Sequence, residues 1–309
     1  MSVKSATILV TGAAGFIGNH VARILHAAGR DVVGTDLSPP QTPASSTFPF
    51  FVADIRDLPD HPLVAAGGFD GIIHAGGISG PMLARDNPAE LIDINVRGTV
   101  QLLDLARVRG MRRFIACSSV SAYGNRSSAE PITEACSLTS SSVYGSSKAA
   151  GDILTQTYAE RLRLSASTLR IGWVYGPGRR TDGVLHPMIR SALGGAAMRW
   201  PSGGDQALQF IHVDDVAAAL IAAFDAPNLA HSAYNITGAE IATVRELAGT
   251  VRAIMPEADI EIGAGAMEDT DLQGPVVIDL AAGDFGWRPQ VRLDDGLRRY
   301  AAWLAEHDY

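Results

Sequence analysis

Three regularly spaced glycines near the start of the chain restrict its fold more than any other feature of the sequence. The stretch LVTGAAGFIG places Gly12, Gly15 and Gly18 between the apolar run Ala6–Val10 and a segment of helical period, Phe16–Ala28. A strand that turns through glycines into a helix offers unpaired N–H groups and a helix dipole to a phosphate. We therefore predict a pyrophosphate site: Gly12 makes the turn, Gly15 lets the backbone approach the phosphates, and Gly18 lets the helix pack on the strand.

The sequence alternates short apolar or β-branched runs with longer segments of helical period, which predicts a parallel sheet covered by helices. The predicted strands are Ala6–Thr11, Asp31–Asp36, Phe50–Ala53, Gly71–Ala75, Arg113–Ser118 and Ser167–Ile171. Two further helices are predicted, one over Pro88–Arg109 with Asn87 as its N-cap, and one over Val143–Leu162.

After Ile171 this rhythm gives way to a glycine- and proline-rich region, which indicates a smaller lobe that carries substrate loops. A helix at Asp214–Phe224, with Asp214 as its N-cap, and a strand at Tyr234–Thr237 can return to the main sheet. We expect residues 1–172 to form the cofactor-binding domain, with returns near 210–238, and residues 173–309 to form most of the substrate lobe.

The composition of the chain limits the classes of partner that it can bind. The 309 residues are 47% hydrophobic, 19% charged and carry a net charge of -8, which disfavours disorder, nucleic acid and anionic membranes. The longest apolar stretches, such as Val216–Phe224, are too short to span a bilayer, and the N-terminus lacks a signal-peptide pattern. His74 and His212 lack metal-ligand spacing, so we expect them to form structural hydrogen bonds and expect no metal. Cys117 and Cys136 lack such spacing too, so we expect free thiols in a cytoplasmic protein with a small-molecule ligand.

Two acidic residues follow predicted strands and bear on the cofactor. Asp36 ends the second strand, where a carboxylate can accept hydrogen bonds from both ribose hydroxyls and would repel a 2′-phosphate. This favours NAD over NADP. Asp54 lies just past the third strand and can reach the adenine, although loop or cap chemistry remains an alternative for both acids.

A tyrosine and a lysine are candidates for the chemistry. In VYGSSKAAGD, Tyr144 and Lys148 are four residues apart and therefore project from one face of a helix. An ordinary phenol is a poor base at neutral pH, but a nearby ammonium and a positive nicotinamide ring stabilise its phenolate. Ser119, in CSSVSAYG after the fifth strand, is positioned to hydrogen-bond the reacting oxygen.

These motifs resemble those of the extended short-chain dehydrogenase/reductases, the NAD-dependent epimerase/dehydratase group. The resemblance covers nearly the whole chain and rests on TGAAGFIG, ADIRD, HAGG, NVRGT, YGSSK, YGPG, FIHVDDVA and GWRP together. It implies a Rossmann-type doubly wound parallel sheet with a smaller C-terminal substrate lobe, bound NAD, hydride transfer at a hydroxyl carbon of a sugar-like substrate, and often a homodimer built on paired helices.

Residue roles follow from the same resemblance. Ser119, Tyr144 and Lys148 would be catalytic, and Asn95 would either bend its helix or touch the cofactor. The residues implied at NAD are Gly12, Gly15, Phe16, Ile17, Gly18, Asp36, Asp54, Ile55, Ala75, Gly76, Asn95, Tyr144, Lys148 and Ile171.

Departures from the family pattern concern the substrate. Members that use nucleotide sugars usually have an arginine before the FIHVDD segment, a second one in the C-terminal lobe, and an asparagine after the sixth strand. This chain has Leu208 and Gln209, a run of acids that includes Asp271, and Trp173. A diphosphate would lose charge-assisted hydrogen bonds there.

The segments GGIS and LRIG are instead similar to the uronate dehydrogenase branch. In that picture Arg179 or Arg180 binds a substrate carboxylate, with a solvated loop as the alternative, and Ser79, Ser119, Tyr144 and Trp173 complete the substrate site. We expect an NAD-dependent oxidoreductase or epimerase acting on a sugar or sugar acid. The alternatives are a nucleotide-sugar 4-epimerase and a non-catalytic NAD-binding regulatory protein.

Overall fold

A computed structural model describes residues 7–40, 47–80, 86–126, 130–179, 183–268 and 270–307. In these ranges the strands are β1 (Thr7–Thr11), β2 (Val32–Asp36), β3 (Phe50–Val52), β4 (Phe69–His74), β5 (Arg113–Ser119), β6 (Ala166–Ile171), β7 (Trp173–Tyr175), β8 (Met198–Trp200), β9 (Ala207–His212), β10 (Ala233–Ile236), β11 (Ile241–Thr243) and β12 (Ile260–Ile262).

The α-helices in the same ranges are α1 (Phe16–Ala27), α2 (Pro62–Ala65), α3 (Pro88–Ile92), α4 (Gly98–Val108), α5 (Val143–Leu162), α6 (Leu185–Gly194), α7 (Val213–Asp225), α8 (Val244–Ile254), α9 (Asp279–Phe285) and α10 (Leu293–Glu306). A π-helical turn, Asp93–Arg97, joins α3 to α4, and 3-10 turns occupy Leu58–Asp60 and Val120–Tyr123.

The main sheet has seven parallel strands in the order β3-β2-β1-β4-β5-β6-β10. The strand order reverses between β1 and β4, which opens a crevice at the carboxyl ends of the strands. Alternate residues of β1 face opposite layers: Ile8 and Val10 pack with α1 and α7, whereas Leu9 packs in the cluster that contains α4 residues. This is the predicted doubly wound α/β architecture.

A second group of elements lies after β6. A three-stranded sheet, β11-β9-β7, and a two-stranded sheet, β12-β8, share a core with α6, α8 and α10 that includes Met188, Leu247 and Tyr300. The chain does not stay there, because α7 packs on α1 and β10 pairs with β6.

The predicted strands agree with the observed ones to within two residues, and the helix over Val143–Leu162 is observed with those bounds. Two predictions are wrong. The helix predicted over Pro88–Arg109 is interrupted by the π-helical turn, although Asn87 does cap it by accepting from the N–H of Glu90. The N-cap of α7 is His212 instead of Asp214, because β9 runs directly into the helix and the His212 ring accepts from the N–H of Asp214.

Across the described ranges, no helix combines the length and apolar character needed to cross a membrane. The same residues contain no group of three or more His, Cys, Asp and Glu side chains arranged to hold a metal ion.

Candidate active site

The glycine turn after β1 depends on close backbone contacts. Gly12 has a φ of +69°, and a Cβ atom there would lie 2.5 Å from the carbonyl carbon and oxygen of Ala75. A Cβ atom on Gly18 would lie 2.1 Å from the carbonyl oxygen of Gly12. Larger side chains at these two positions would separate the turn from β4 and α1 from β1.

The N-terminus of α1 has the donors that an anion requires. Gly15 is the N-cap residue, and Phe16 and Ile17 occupy the first helical positions. The N–H groups of such positions have no acceptor within the helix, and Gly15 offers no side chain to cap them. The site therefore fits a pyrophosphate, as the sequence predicts.

Asp36 lies beside this turn. Its Oδ2 accepts a hydrogen bond of 3.1 Å from the N–H of Ala14, and its Oδ1 accepts one of 2.8 Å from the N–H of Leu37. Burial raises the pKa of Asp36, and these backbone hydrogen bonds oppose the shift. A fixed carboxylate at the end of β2 fits the ribose of NAD and disfavours a 2′-phosphate.

The carboxylate of Asp54 is held by a neighbouring arginine that the sequence analysis did not consider. Nε of Arg56 lies 3.0 Å from both carboxylate oxygens of Asp54, and Nη1 of Arg56 lies 2.7 Å from Asp93. The hydrogen bonds from the Arg56 side chain lower the pKa of Asp54. Ile55 is buried against Gly98, while the adenine contact of Asp54 stays a prediction.

The loop after β4 is tied to β1 by a buried hydrogen-bond network. Thr11 accepts from Ala75 N–H through its carbonyl (3.1 Å) and from Gly76 N–H through its hydroxyl (3.4 Å). His74 Nδ1 lies 2.7 Å from the Thr11 hydroxyl, and His74 Nε2 lies 3.1 Å from the Thr99 hydroxyl. His74 is therefore a hydrogen-bonded structural residue, as expected.

Asn95 joins this loop to the helix that carries Tyr144. It is 4% exposed within the π-helical turn, and its Oδ1 accepts from the N–H of Ile78 at 2.8 Å. Its Nδ2 donates to the carbonyl of Ile78 and to the hydroxyl of Ser147, both at 3.0 Å. Ser147 in turn donates to the carbonyl of Tyr144 at 2.7 Å. These contacts give Asn95 a structural role, and its predicted cofactor contact stays a prediction.

Tyr144 and Lys148 lie on the first turns of α5. Nζ of Lys148 is 5.9 Å from the centre of the Tyr144 ring and donates a 3.1 Å hydrogen bond to the carbonyl of Cys117 in β5. The Tyr144 ring is 8% exposed and packs against Leu91 and Ile78. The ammonium is thus held between the phenol and the end of β5.

Ser119 ends β5, two residues after the carbonyl that holds Lys148. It is 8% exposed, and its hydroxyl accepts from the N–H of Ser121 at 3.1 Å and donates to the Ser121 hydroxyl at 3.2 Å. Ile171, the last residue of β6, is its register partner. The carboxyl ends of β5 and β6 therefore meet the N-terminal turns of α5.

Arg179 is held by three separate parts of the chain. Its guanidinium donates to the carbonyl of Val174, and its own carbonyl accepts a 3.1 Å hydrogen bond from the hydroxyl of Tyr300 in α10. The preceding Gly178 rests on α1, where a Cβ atom would lie 3.5 Å from Phe16 and 3.4 Å from His20.

Burial lowers the pKa of Arg179. Among the described residues, no carboxylate forms an ion pair with its guanidinium. A partly buried cation without an acidic neighbour is a candidate anion site.

The remaining predicted substrate residues are separated. Ser79 is exposed in the loop after β4, and Arg180 lies outside the described residues. Trp173 lines a pocket with Leu208, Gln209 and Asp271, the positions at which the sequence departs from the nucleotide-sugar pattern. The structure thus brings these departures together.

Sequence reasoning missed a buried ion pair between β6 and α5. Nε of Arg170 lies 2.7 Å from Oδ2 of Asp152, and the two side chains are 7% and 2% exposed. Arg170 also donates to the Tyr123 hydroxyl at 2.8 Å, which donates to Asn235 at 2.6 Å. The sequence does contain a signal for this pair, an arginine within an apolar strand, because a buried charge requires an oppositely charged partner.

The glycine turn, Asp36 and the Tyr144–Lys148 pair at the edge of this sheet define a dinucleotide-dependent enzyme of the short-chain dehydrogenase/reductase type. The chain belongs to the NAD dependent epimerase/dehydratase family, whose model matches residues 8–237. This membership confirms the predicted resemblance, the fold class and an NAD-dependent enzyme.

Relatives and solved structures resemble nearly the whole chain. UDP-glucose 4-epimerase of Mycolicibacterium smegmatis is 30% identical, covering 94% of this chain and 96% of its own. UDP-glucuronate 4-epimerase of Thermodesulfobacterium geofontis is 27% identical, with coverage of 97% and 96%. UDP-glucuronic acid 4-epimerase of Bacillus cereus, solved with UDP-glucuronic acid and NAD, is 27% identical over 97% of this chain and 99% of its own, with a TM-score of 0.85.

Proposed function

We propose that this enzyme oxidises a hydroxyl-bearing carbon of a sugar or sugar acid with NAD. Bound NAD supplies the hydride acceptor. Lys148 stabilises the phenolate form of Tyr144, this phenolate takes the hydroxyl proton as the hydride leaves, and Ser119 orients the oxygen. The observation that carries this proposal is the placement of Lys148 between the Tyr144 ring and the carbonyl of Cys117, two residues before Ser119.

The residues that would hold NAD are those that the sequence predicts. The glycine turn and the first turn of α1 hold the pyrophosphate, and Asp36 accepts from the ribose hydroxyls. Asp54 and Ile55 lie toward the adenine. The other residues that would hold NAD are Ala75, Gly76, Asn95, Tyr144, Lys148 and Ile171.

The surroundings of Arg179 support the proposal that the substrate carries a carboxylate. Its guanidinium is partly buried and lacks an acidic partner among the described residues. A sugar acid would supply that partner through charge-assisted hydrogen bonds. Ser79 and Trp173 complete the proposed substrate site, as does Arg180, whose position lies outside the described residues.

A nucleotide-sugar 4-epimerase is the second candidate, and the relatives favour it. Epimerases for UDP-glucose and UDP-glucuronate resemble this chain over almost all of its length. In an epimerase the hydride returns to the sugar, so reduced cofactor need not accumulate. The two candidates share the roles of Tyr144, Lys148 and Ser119 and differ in what is attached to the sugar.

The test compares Tyr144→Phe with Tyr158→Phe, which removes a phenol hydroxyl from the same helix at a distance from Lys148. Each protein is incubated with NAD and with free uronates, aldoses, UDP-glucuronate and UDP-glucose. Reduced-cofactor absorbance and product stereochemistry are both followed. We expect Tyr144→Phe to lower kcat at least 100-fold while NAD still binds, because a positioned acid–base group contributes about 10²–10⁴-fold.

Tyr158→Phe should retain near-normal turnover. Full activity in Tyr144→Phe would reject the mechanism. NAD binding without turnover of any substrate would favour the regulatory alternative.

The domain division and the assembly belong to the same proposal. Residues 1–172 hold the cofactor with returns near 210–238, and residues 173–309 form most of the substrate lobe; the pairing of β10 with β6 supports the returns.

A homodimer built on α4 and α5 is supported by the exposure of Val108, Ile153 and Leu162, at 65%, 57% and 47%. Free Cys117 and Cys136 fit a reducing cytoplasm.

A further inference from the structure

A pocket beside the active site has a lining that does not suit a phosphate. It begins at Val120, the residue after Ser119, and extends to Trp173 in β7 and Leu208 in β9. Ile241 and Val276 add further apolar surface. The Trp173 ring is partly buried and lies 6.1 Å from the Phe210 ring, at an angle of 54°.

The amide side chains in the pocket are already engaged. Gln209 donates to the carbonyl of Gly238 at 2.8 Å and accepts from the N–H of Val276 at 2.9 Å. Gln273 donates to the carbonyls of Val120 and Gly124, at 3.0 and 3.1 Å. Turning either amide toward a ligand would leave buried backbone groups unpaired, which costs free energy.

The charge of the pocket also opposes an anion. Asp271 lines it, and its Oδ1 accepts a 2.5 Å hydrogen bond from the hydroxyl of Ser141. No lysine or arginine belongs to the part of the lining that the structure describes. A diphosphate would therefore meet a carboxylate, an indole and aliphatic side chains.

We propose that this pocket binds an uncharged ring attached to the substrate, an aromatic aglycone, against Trp173. The inference rests on the proposed function, in which Ser119, the residue before Val120 of the pocket lining, orients the reacting oxygen of the sugar. The substrate class is then a sugar or sugar acid carrying an apolar ring in place of a nucleotide. Arg179, which is not among the pocket residues, remains available for a carboxylate.

Three ligands that share one sugar test the proposal: the methyl glycoside, the phenyl glycoside and the UDP conjugate of glucuronic acid. Their dissociation constants are measured by calorimetry on the NAD-loaded protein, so no turnover is needed. We expect the phenyl glycoside to bind about tenfold more tightly than the methyl glycoside, because stacking on an aromatic ring adds to the burial of apolar area. Trp173→Ala should remove this preference, and Trp200→Phe, a change outside the pocket, should keep it.

Asp271→Asn provides a second variant that retains shape and the hydrogen bond from Ser141. It should strengthen binding of the UDP conjugate severalfold and leave the phenyl glycoside unchanged. Equal binding of the methyl and phenyl glycosides would overturn the proposal. So would a UDP conjugate that binds most tightly and is indifferent to Trp173→Ala and Asp271→Asn.

Failure here is distinguishable from failure of the proposed function. A Trp173-dependent ring preference in a protein without turnover would leave the pocket assignment intact and reject the oxidoreductase mechanism. Turnover that depends on Tyr144, with no ring preference, would do the reverse.

Discussion

The proton positions around His74 follow from its neighbours. Thr99 donates its hydroxyl proton to the carbonyl of Asn95 at 2.6 Å, so it accepts from the Nε2–H of His74. Nδ1 then accepts from the Thr11 hydroxyl, which itself accepts from the N–H of Gly76. A neutral ring with its proton on Nε2 satisfies every partner, and burial lowers the pKa of His74 to about 3.

This geometry predicts a pH dependence of folding. In the unfolded chain His74 takes up a proton near pH 6.5, whereas in the folded protein the ring stays neutral down to about pH 3. The unfolded state therefore binds more protons between these values, and the free energy of unfolding falls by up to about 1.4 kcal/mol per pH unit as the solution is acidified. We expect His74→Gln to lose this part of the slope in urea unfolding between pH 6.5 and 4.

The control for that experiment is His26→Gln, at an exposed position on α1. Carboxylates add the same background to all three proteins, so only the difference in slope matters. Identical slopes for wild type and His74→Gln would show that the buried imidazole takes up a proton in the folded state.

Single residues show where sequence reasoning succeeds. The sequence correctly indicates a structural role for His74, because no partner lies at ligand spacing from it. It also correctly indicates that Asn87 is an N-cap, because N-cap chemistry is local. The partner of Asp54 was missed although Arg56 is only two residues away, because spacing alone does not show where a long side chain turns. The His212 cap was missed because imidazole is an uncommon capping group and two acids follow it.

At the scale of elements, two helical glycines allow a matched test. A methyl group on Gly18 in α1 would meet the Gly12 carbonyl oxygen at 2.1 Å, whereas one on Gly249 in α8 would meet nothing within 4 Å. Helix propensity alone favours alanine at both positions by up to about 1 kcal/mol. We expect Gly249→Ala to raise the free energy of unfolding by that amount and Gly18→Ala to lower it by about 1–3 kcal/mol.

Gly18→Ala should also weaken NAD binding, measured by calorimetry, since it displaces the turn from α1. Chemical denaturation of both variants gives the free energies. A Gly18→Ala protein as stable as Gly249→Ala would mean that α1 can move away from β1 at no cost.

Secondary-structure elements differ in how well their limits can be predicted from the sequence. The inner strands of the main sheet, β1, β4, β5 and β6, are mostly buried on both faces and therefore form strong apolar runs, which is why the sequence predicts their limits closely. The strands β8, β11 and β12 span three residues each, too few for an alternating pattern to show. The π-helical turn was missed because one wide turn barely changes the apolar period of the surrounding helix.

At the scale of the whole molecule, the core of the main sheet is completed late in the chain. Val216, Leu220 and Phe224 of α7, with Tyr234 and Ile236 of β10, belong to the cluster that covers one face of the sheet. A fragment of residues 1–172 lacks all of them. We expect this fragment to show no cooperative thermal transition by circular dichroism and no NAD binding, while the full chain unfolds in one transition that NAD shifts upward.

Cooperative unfolding of the fragment, with NAD affinity retained, would contradict this expectation. It would show that the apolar face under α7 tolerates water. The sequence shows a helix and a strand with the right periods near residues 210–238, but the pairing of β10 with β6 required the structure.

The seat of Arg179 brings together Phe16 from the first helix, the glycine loop at Gly176–Gly178 and Tyr300 from the last helix. Ribosomes make a polypeptide from its amino end, and Tyr300 lies 121 residues after Arg179, so Arg179 is made well before its Tyr300 partner. A nascent chain that already contains Arg179 therefore lacks, for a further 121 residues, the hydroxyl that donates to the Arg179 carbonyl. The proposed substrate contact of Arg179 is thus completed by a segment that is synthesised long after the arginine itself.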